Sequence, residues 1–493
     1  MKIASQILIR GAIIKELSPK VYRKSKISNL KSKIALATLL PLMVILTGCT
    51  TYNDRFADIR RDYVAGNFEA AAAVTQKAVE AEGESGKDAL LWQLEHATIL
   101  RAAGKRTESE AAFARARDLY MSNLDAAKVR LLRGGAELLT TSDSAPYWGT
   151  GYDGIMIDTY QALHALSGGD IPRARVELVR AFLLQQEVVE MNASRIEKEQ
   201  AEARKDANVS TAVESGKGQV ASGVEAAEEI KFELDAYADY VNPFTVYLDA
   251  LFHATQATSP SDTERARVSL TRMRAFAPNN ATVQEDLRKV TNEGRIASGV
   301  YVIFETGMAP RLTEEKFQLA LPIQHVPYIG FAYPKLVTDP LYVRCMKVRS
   351  GGHTVTTERV ASMDAVIGRE FNNNFPSILT RTIATAVLKA VAAAVANEAA
   401  RKSDNGLVQV GTWVGTLALQ AGTNVADTRS WQTLPKEFQV ARVEMPSDRT
   451  LTLLSPDGAW TRDMTLIDGD VVVVYAKSIA SLQDMTLTQF KLR

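Results

Sequence analysis

Few side chains in this sequence carry strong intrinsic chemistry, and their spacing limits what they can do. Two cysteines occur, Cys49 and Cys345. Cys49 follows an uncharged run, Ile34 to Leu46, and the small residues Thr47 and Gly48. A cysteine thiol is a nucleophile, so covalent modification at sulfur is the chemistry Cys49 could offer. Cys345 lies in an alternating segment, Leu341 to Val348, that reads as a strand. With Cys49 modified it has no disulfide partner, and it reads as a small buried apolar residue or as a reactive thiol. The histidines are His96, His164, His253, His325 and His353. None has HExxH spacing or a carboxylate–histidine pair of metal-site type. No GxSxG turn is present. Triads are geometric rather than sequential, yet the expectation is a non-enzyme with no catalytic, cofactor-binding or metal-binding residue.

Lys20, Arg23, Lys24, Lys26, Lys31 and Lys33 precede the uncharged run. A basic segment, an apolar segment and small residues before a cut are the parts of an export signal. The run falls short of the roughly 17–25 apolar residues a spanning helix needs. Leu46-Thr47-Gly48-Cys49 resembles the lipobox of bacterial lipoproteins. That resemblance implies a signal peptide over residues 1–48, removed in the mature protein. It also implies a diacylglycerol thioether on Cys49 and an acylated new N-terminus. Several acyl chains, at about 0.8 kcal/mol per buried CH2, give durable anchoring. Thr50 stands where Asp would resemble an inner-membrane retention signal, so the expected location is the periplasmic face of the outer membrane.

Residues 49–493 suffice for two or three domains. Lys and Arg total 58 against 57 Asp and Glu, which gives no global field favouring nucleic acid. The expected fold is α+β and multidomain: a helical region over 49–295, then a β-rich region over 297–493 carrying one Ala-rich helix at about 376–401. In the first region, Gly169 suits a turn and Asp170 a helix N-cap. Ala174, Leu178 and Ala181 follow Ile171 at helical spacing, and Ala162 and Ala165 are small enough to admit a partner helix. The frame returns at Gly66-Asn67-Phe68 with Ala71 and Ala78, and at Gly104 with Ser109, Phe113 and Ala116. A fourth unit has Ala254, Ala257, Ala266 and Leu270, ending at Pro278. These units resemble divergent tetratricopeptide (TPR) repeats; a plain helical bundle is the alternative. Stacked helix pairs of this kind build extended surfaces for partners. Residues 197–223, charged and broken by Gly216, Gly218 and Gly223, read as an overlong helix end and a mobile linker.

Gly149 to Gly154 spells a dinucleotide fingerprint, but no strand leads into it and no βαβ unit surrounds it. In the second region, predicted strands lie at 300–304, 317–321, 329–333, 341–348, 354–360, 438–444, 451–454, 464–467 and 471–475. Turn signals at Pro456-Asp457-Gly458 and Asp468-Gly469 predict a meander of the last three. Across the Ala-rich helix, Arg381, Thr385 and Lys389 form a polar stripe and Ala384, Val387, Leu388, Val391 and Val395 an apolar one. Arg429 and Trp431 invite two readings: a possible partner contact acting as a recognition hot spot, or a stacked structural pair at a strand corner.

Further stretches resemble a group of uncharacterised bacterial outer-membrane lipoproteins with TPR-like helical repeats. They are Tyr152 to Met156 with Tyr160 and Leu163, Asn242 to Leu248, Phe304 to Arg311, and Ala426 to Val443. No chemistry comes with this resemblance. The expected function is a lipid-anchored periplasmic scaffold that recruits or positions an envelope assembly partner. The alternative is a cell-envelope hydrolase or a glycan- or peptidoglycan-binding protein with its site in the C-terminal region. A subunit of a secretion or surface-structure machine is a third reading.

Overall fold

Burial on one face or on all faces sorts the helices of this protein into two layers. The computed structural model describes residues 51–134, 145–207, 209–215, 242–323, 326–401, 425–482 and 485–493. Cys49 and the predicted signal, residues 1–48, lie outside them. The chain divides into Met1–Arg55 and Phe56–Arg493, and the second is one compact unit holding both the helical and the strand-rich regions.

Three pairs of successive helices share one kind of turn: α1 (Tyr52–Val64) with α2 (Phe68–Glu82), α3 (Ala89–Ala102) with α4 (Arg106–Arg133), and α5 (Gly151–Ser167) with α6 (Ile171–Ala203). Gly66, Gly104 and Gly169 take φ of 78°, 74° and 76°, a left-handed state that closes a helix without Cβ strain. The next N–H then reaches back five residues, Asn67 to Asp62, Lys105 to Leu100 and Asp170 to Ala165, at 2.8–3.0 Å. Asp170 caps α6 by accepting from the Arg173 N–H, as its position predicts. Next come α7 (Pro243–Thr255), α8 (Pro260–Phe276) and α9 (Ala281–Glu293). Nearly every residue of α3 and α5 is buried, and every residue of α7 is. These helices lie inside, and the polar side chains they bury, such as Glu95, Asp158 and Asp249, are hydrogen-bonded there. By contrast α4, α6 and α8 bury one stripe each, including Phe113 and Ala116, Ala174 and Leu178, and Ala266 and Leu270.

The inner helices press on a five-stranded sheet of order β11-β10-β1-β7-β6. Its strands are β1 (Gly299–Thr306), β6 (Glu358–Ser362), β7 (Glu437–Val443), β10 (Val471–Ser478) and β11 (Thr486–Lys491). The β1–β10 pair is parallel, pairing Glu305 with Lys477, and the other pairs are antiparallel. Both central strands are buried throughout, and their two faces differ. Val300, Val302, Phe304, Val472, Val474 and Ala476 join Val348, Leu451 and Leu453 of a second, four-stranded sheet in one core. That sheet has the order β5-β4-β8-β9, from β4 (Lys347–Ser350), β5 (His353–Thr356), β8 (Thr450–Leu454) and β9 (Thr461–Thr465). The opposite face turns Tyr301, Glu305, Tyr475, Lys477 and Phe438 toward the helices, where Phe438 stacks on Phe244 of α7 at 3.7 Å. The layers therefore run helices, sheet, sheet.

A long hairpin, β2 (Arg311–Ile323) with β3 (Val326–Val337), packs on α10 (Met363–Arg401). Their core joins Leu319, Ile329, Phe331 and Tyr333 to Leu379, Ile383, Ala384 and Val387. By length and composition α10 could cross a membrane; here this face is covered by protein.

Several expectations change. The last three predicted strands do not form a meander: β8 pairs with β9, while β10 crosses to the five-stranded sheet. Its uniformly buried run needs cover on both faces, which an edge position beside the exposed β9 cannot supply. Residues 341–346 are irregular, and the strand predicted there begins at Lys347. The Ala-rich helix begins at Met363, with Pro376 inside it rather than at its start, and Leu388 and Val395 are exposed. Residues 197–203 are the overlong end of α6, as expected, but residues 209–215, expected to be mobile linker, are helical and bury Val209 and Ala212; residues 216–223 lie outside the described residues.

Candidate functional site

Alternation along β1 and β10 places Glu305 and Lys477 side by side on the helix-facing surface of the sheet. A carboxylate 1% exposed must find its counter-charge nearby. Lys477 Nζ donates to one oxygen of Glu305, and Arg101, from the end of α3, donates to the other at 2.8 Å. Tyr475 Oη donates to Glu305 at 2.5 Å, and Tyr160 Oη of α5 at 3.1 Å. The guanidinium of Arg101 lies between the Tyr160 and Tyr475 rings, 4.7 and 4.5 Å from their centroids, an arrangement that suits a weakly hydrated planar cation. Burial opposes ionisation of Glu305, but Lys477 and Arg101, with the hydrogen bonds from Lys477 and Tyr475, hold its pKa down to about 2. Burial pulls the Lys477 ammonium down and Glu305 pushes it back up. Glu305 therefore stays an anion, and burial leaves the Lys477 ammonium below its ordinary value.

Above this group opens a cleft of about 270 Å³ between α3, the start of α4, the end of α5 and strands β10 and β11. Arg101, Arg106 and Lys477 supply its charge, and Leu163 and Phe490 its apolar surface. His164 in its wall bonds Ser109 Oγ at 3.1 Å. Burial, then the positive charges of Arg101, Arg106 and Arg173, lower its pKa to about 3, so the imidazole stays neutral and the field at this wall is positive.

Other buried carboxylates tie one element to another. Glu95 of α3 accepts the Gln432 N–H at 2.7 Å, the Thr433 N–H at 3.1 Å and the Thr433 hydroxyl at 2.5 Å. Asp286 of α9 accepts from Tyr301 at 2.5 Å and from Tyr247 at 3.1 Å. Glu370 of α10 accepts the Gly151 and Tyr152 N–H groups at 2.7 and 3.1 Å, the N-terminus of α5. Gly149 to Gly154 is therefore a helix start whose free donors already hold a carboxylate. Thr150 and Asp153 form its capping box, and Tyr147 Oη donates to Asp153 at 2.6 Å. Burial raises Glu370 to about 7, against the N–H of Gly151, and raises Asp153 to about 6, against the bond from Tyr147.

The possible partner contact at Arg429 and Trp431 is corrected. Trp431 is fully buried, its Nε1 donating to Thr98 at 3.0 Å and to Thr433 at 3.1 Å. The Arg429 side chain is 7% exposed, binds Asp88 at 3.0 Å and Asp427 at 2.7 Å, and donates to the Ala145 carbonyl. A side chain enclosed in this way joins the segment after residue 425 to α3 and offers nothing to a second molecule. Cys345 is half-buried, and burial raises its pKa. His353 closes the β4–β5 hairpin, pairing with Ser350 across Gly351-Gly352.

Sequence reasoning missed Arg101, Glu305, Lys477 and Glu370. A charged residue inside an apolar strand was the available signal, at Lys477 after a valine run. Among the described residues no group of three or more His, Cys, Asp or Glu side chains is placed to hold a metal. Fold and site define a layered α+β protein with a basic cleft where helices meet the sheet. Comparison with protein-family models, curated proteins and solved structures finds no match.

Proposed function

We propose that this protein is a lipid-tethered, non-catalytic adaptor of the bacterial cell envelope. Cys49 holds it at the periplasmic face of the outer membrane, and its surface positions an envelope partner. The helix pairs α1–α2, α3–α4 and α5–α6, with their common turn, serve as divergent TPR units. One observation carries the reading: the buried carboxylates Glu95, Glu305 and Glu370 each join elements distant in sequence. Chemistry spent on rigidity suits a platform that holds a partner in a fixed orientation. The test is Cys49→Ser with cell fractionation and crosslinked pull-down from solubilised membranes. The variant should be released or mislocalised with its fold intact, and the wild type should recover a specific envelope protein. Outer-membrane fractionation of the variant as for wild type, or no specific partner under complex-preserving conditions, refutes the proposal. A second reading, a glycan-binding protein, draws support from the cleft beside β11, with hydroxyl groups on Thr486 and Thr488.

A further inference from the structure

The cleft has a charge excess that nothing in its immediate surroundings cancels. Arg101, Arg106 and Lys477 bring three positive charges to it, and Glu305 beneath returns one negative charge, a formal excess of two. Glu110, 3.7 Å from Arg106, also pairs with Arg173, and those two charges balance. His164 is neutral and adds none. Arg106 is 48% exposed at the mouth, where a forked guanidinium can swing toward a guest.

The rest of the lining is of two kinds. Leu163 and Phe490 form an apolar patch. Ser167 Oγ donates to the His164 carbonyl at 3.0 Å and Thr486 Oγ1 to the Ala102 carbonyl at 2.6 Å, so each hydroxyl oxygen remains an acceptor. Thr488, exposed on the edge strand, adds a third hydroxyl. The volume of about 270 Å³ is near the lower end of the roughly 300–1,000 Å³ usual for small-molecule sites.

An excess of two charges matches a phosphomonoester, which carries about 1.5–2 negative charges and three acceptor oxygens, better than a single carboxylate. Hydroxyl acceptors beside an apolar patch match a sugar ring. We propose that this cleft binds a sugar phosphate, with the phosphate held by Arg106 at the mouth, in the field of the buried Lys477 and Arg101 beneath, and the sugar hydroxyls by Ser167, Thr486 and Thr488. The proposal rests on the cleft alone and is independent of the adaptor reading.

The test is calorimetric titration of the full chain in detergent at low ionic strength with glucose 6-phosphate, inorganic phosphate and glucose. Glucose 6-phosphate should bind most tightly, phosphate more weakly and glucose undetectably, with affinity falling as salt screens the charges. Arg106→Gln should weaken glucose 6-phosphate binding by about tenfold or more without changing the thermal midpoint of the free protein. Thr488→Val, at an exposed position, should weaken glucose 6-phosphate and leave phosphate unchanged. Absence of saturable binding at millimolar glucose 6-phosphate overturns the proposal. So does equal affinity for the two phosphates, or for wild type and Arg106→Gln.

Discussion

Replacing Glu370 with Gln removes the charge and keeps the shape where α10 meets the N-terminus of α5. Burial raises this carboxyl from 4.5 to about 7, although the Gly151 and Tyr152 N–H groups favour the anion. Between those pH values the folded protein holds a proton that the unfolded chain releases, so stability falls as pH rises from 4.5 to 7. At about 1.4 kcal/mol per pH unit, the full span is worth about 3 kcal/mol, of which about 2–3 falls between pH 5 and 8. Asp153, raised from 3.8 to about 6, acts in the same direction in a lower window. An unfolding entropy of about 2.1 cal/mol/K per residue gives a unit of this size about 1 °C per kcal/mol. Glu370→Gln keeps one acceptor and sets an amide against the other N–H, so the variant should be less stable than wild type at pH 5. By pH 8 the wild type pays for an ionised buried carboxylate, and the gap should close by about 2–3 °C. The assay is paired thermal unfolding across pH 5–8, where titration of groups that do not interact with Glu370 cancels in the difference; that of Asp153, whose charge raises Glu370, does not. Parallel profiles would refute the argument.

Glu305→Gln leaves Arg101 and Lys477 buried without their counter-charge and should cost about 3–5 kcal/mol in urea unfolding; the double variant with Lys477→Met should recover part of that loss. Trp431→Ala empties a fully buried site and should destabilise by about 3–5 kcal/mol, seen as a lowered thermal midpoint; an unchanged midpoint would refute its packing role. Gly154→Ala places a Cβ 2.5 Å from the Tyr120 ring, so it should lose about 1–3 kcal/mol to overpacking despite alanine's better helix propensity. Circular dichroism melts should then rank this variant below wild type.

Local structure was legible where one face or one turn sufficed to specify it. Gly169 and Asp170 announced a helix stop and the next cap, and both take those roles. Val300 to Phe304 read as a strand and lies within β1. What failed depended on partners far away in the chain. The valine run of β10 looks the same as the third strand of a meander or the centre of a covered sheet, and burial on both faces decides between them. The strand also continues past Tyr475 to Ser478, so the prediction stopped just short of Lys477. The Ala-rich helix is expected from about residue 376, yet α10 begins at Met363 and carries Pro376 inside. Glu305 gave no local sign of its partners, because Arg101 lies 204 residues away and Lys477 lies 172. The β2–β3 hairpin was read as two strands, and only its register shows them to be one arm on α10.

The parallel pairing of β1 with β10 sets an order of assembly that opposes the order of synthesis. Arg101 is made early, but its carboxylate arrives with β1, and that carboxylate's second cation only with β10. Until residue 477 has left the ribosome, the sheet lacks a central strand and the inner helices α3 and α5 have no complete floor. The early part of the chain must therefore wait, with apolar helices uncovered, for its last strands. Closing such distant contacts is slow, because loop entropy is lost before the contacts form. A nascent chain of this design depends on something to shield it, or on not folding, until it is nearly complete.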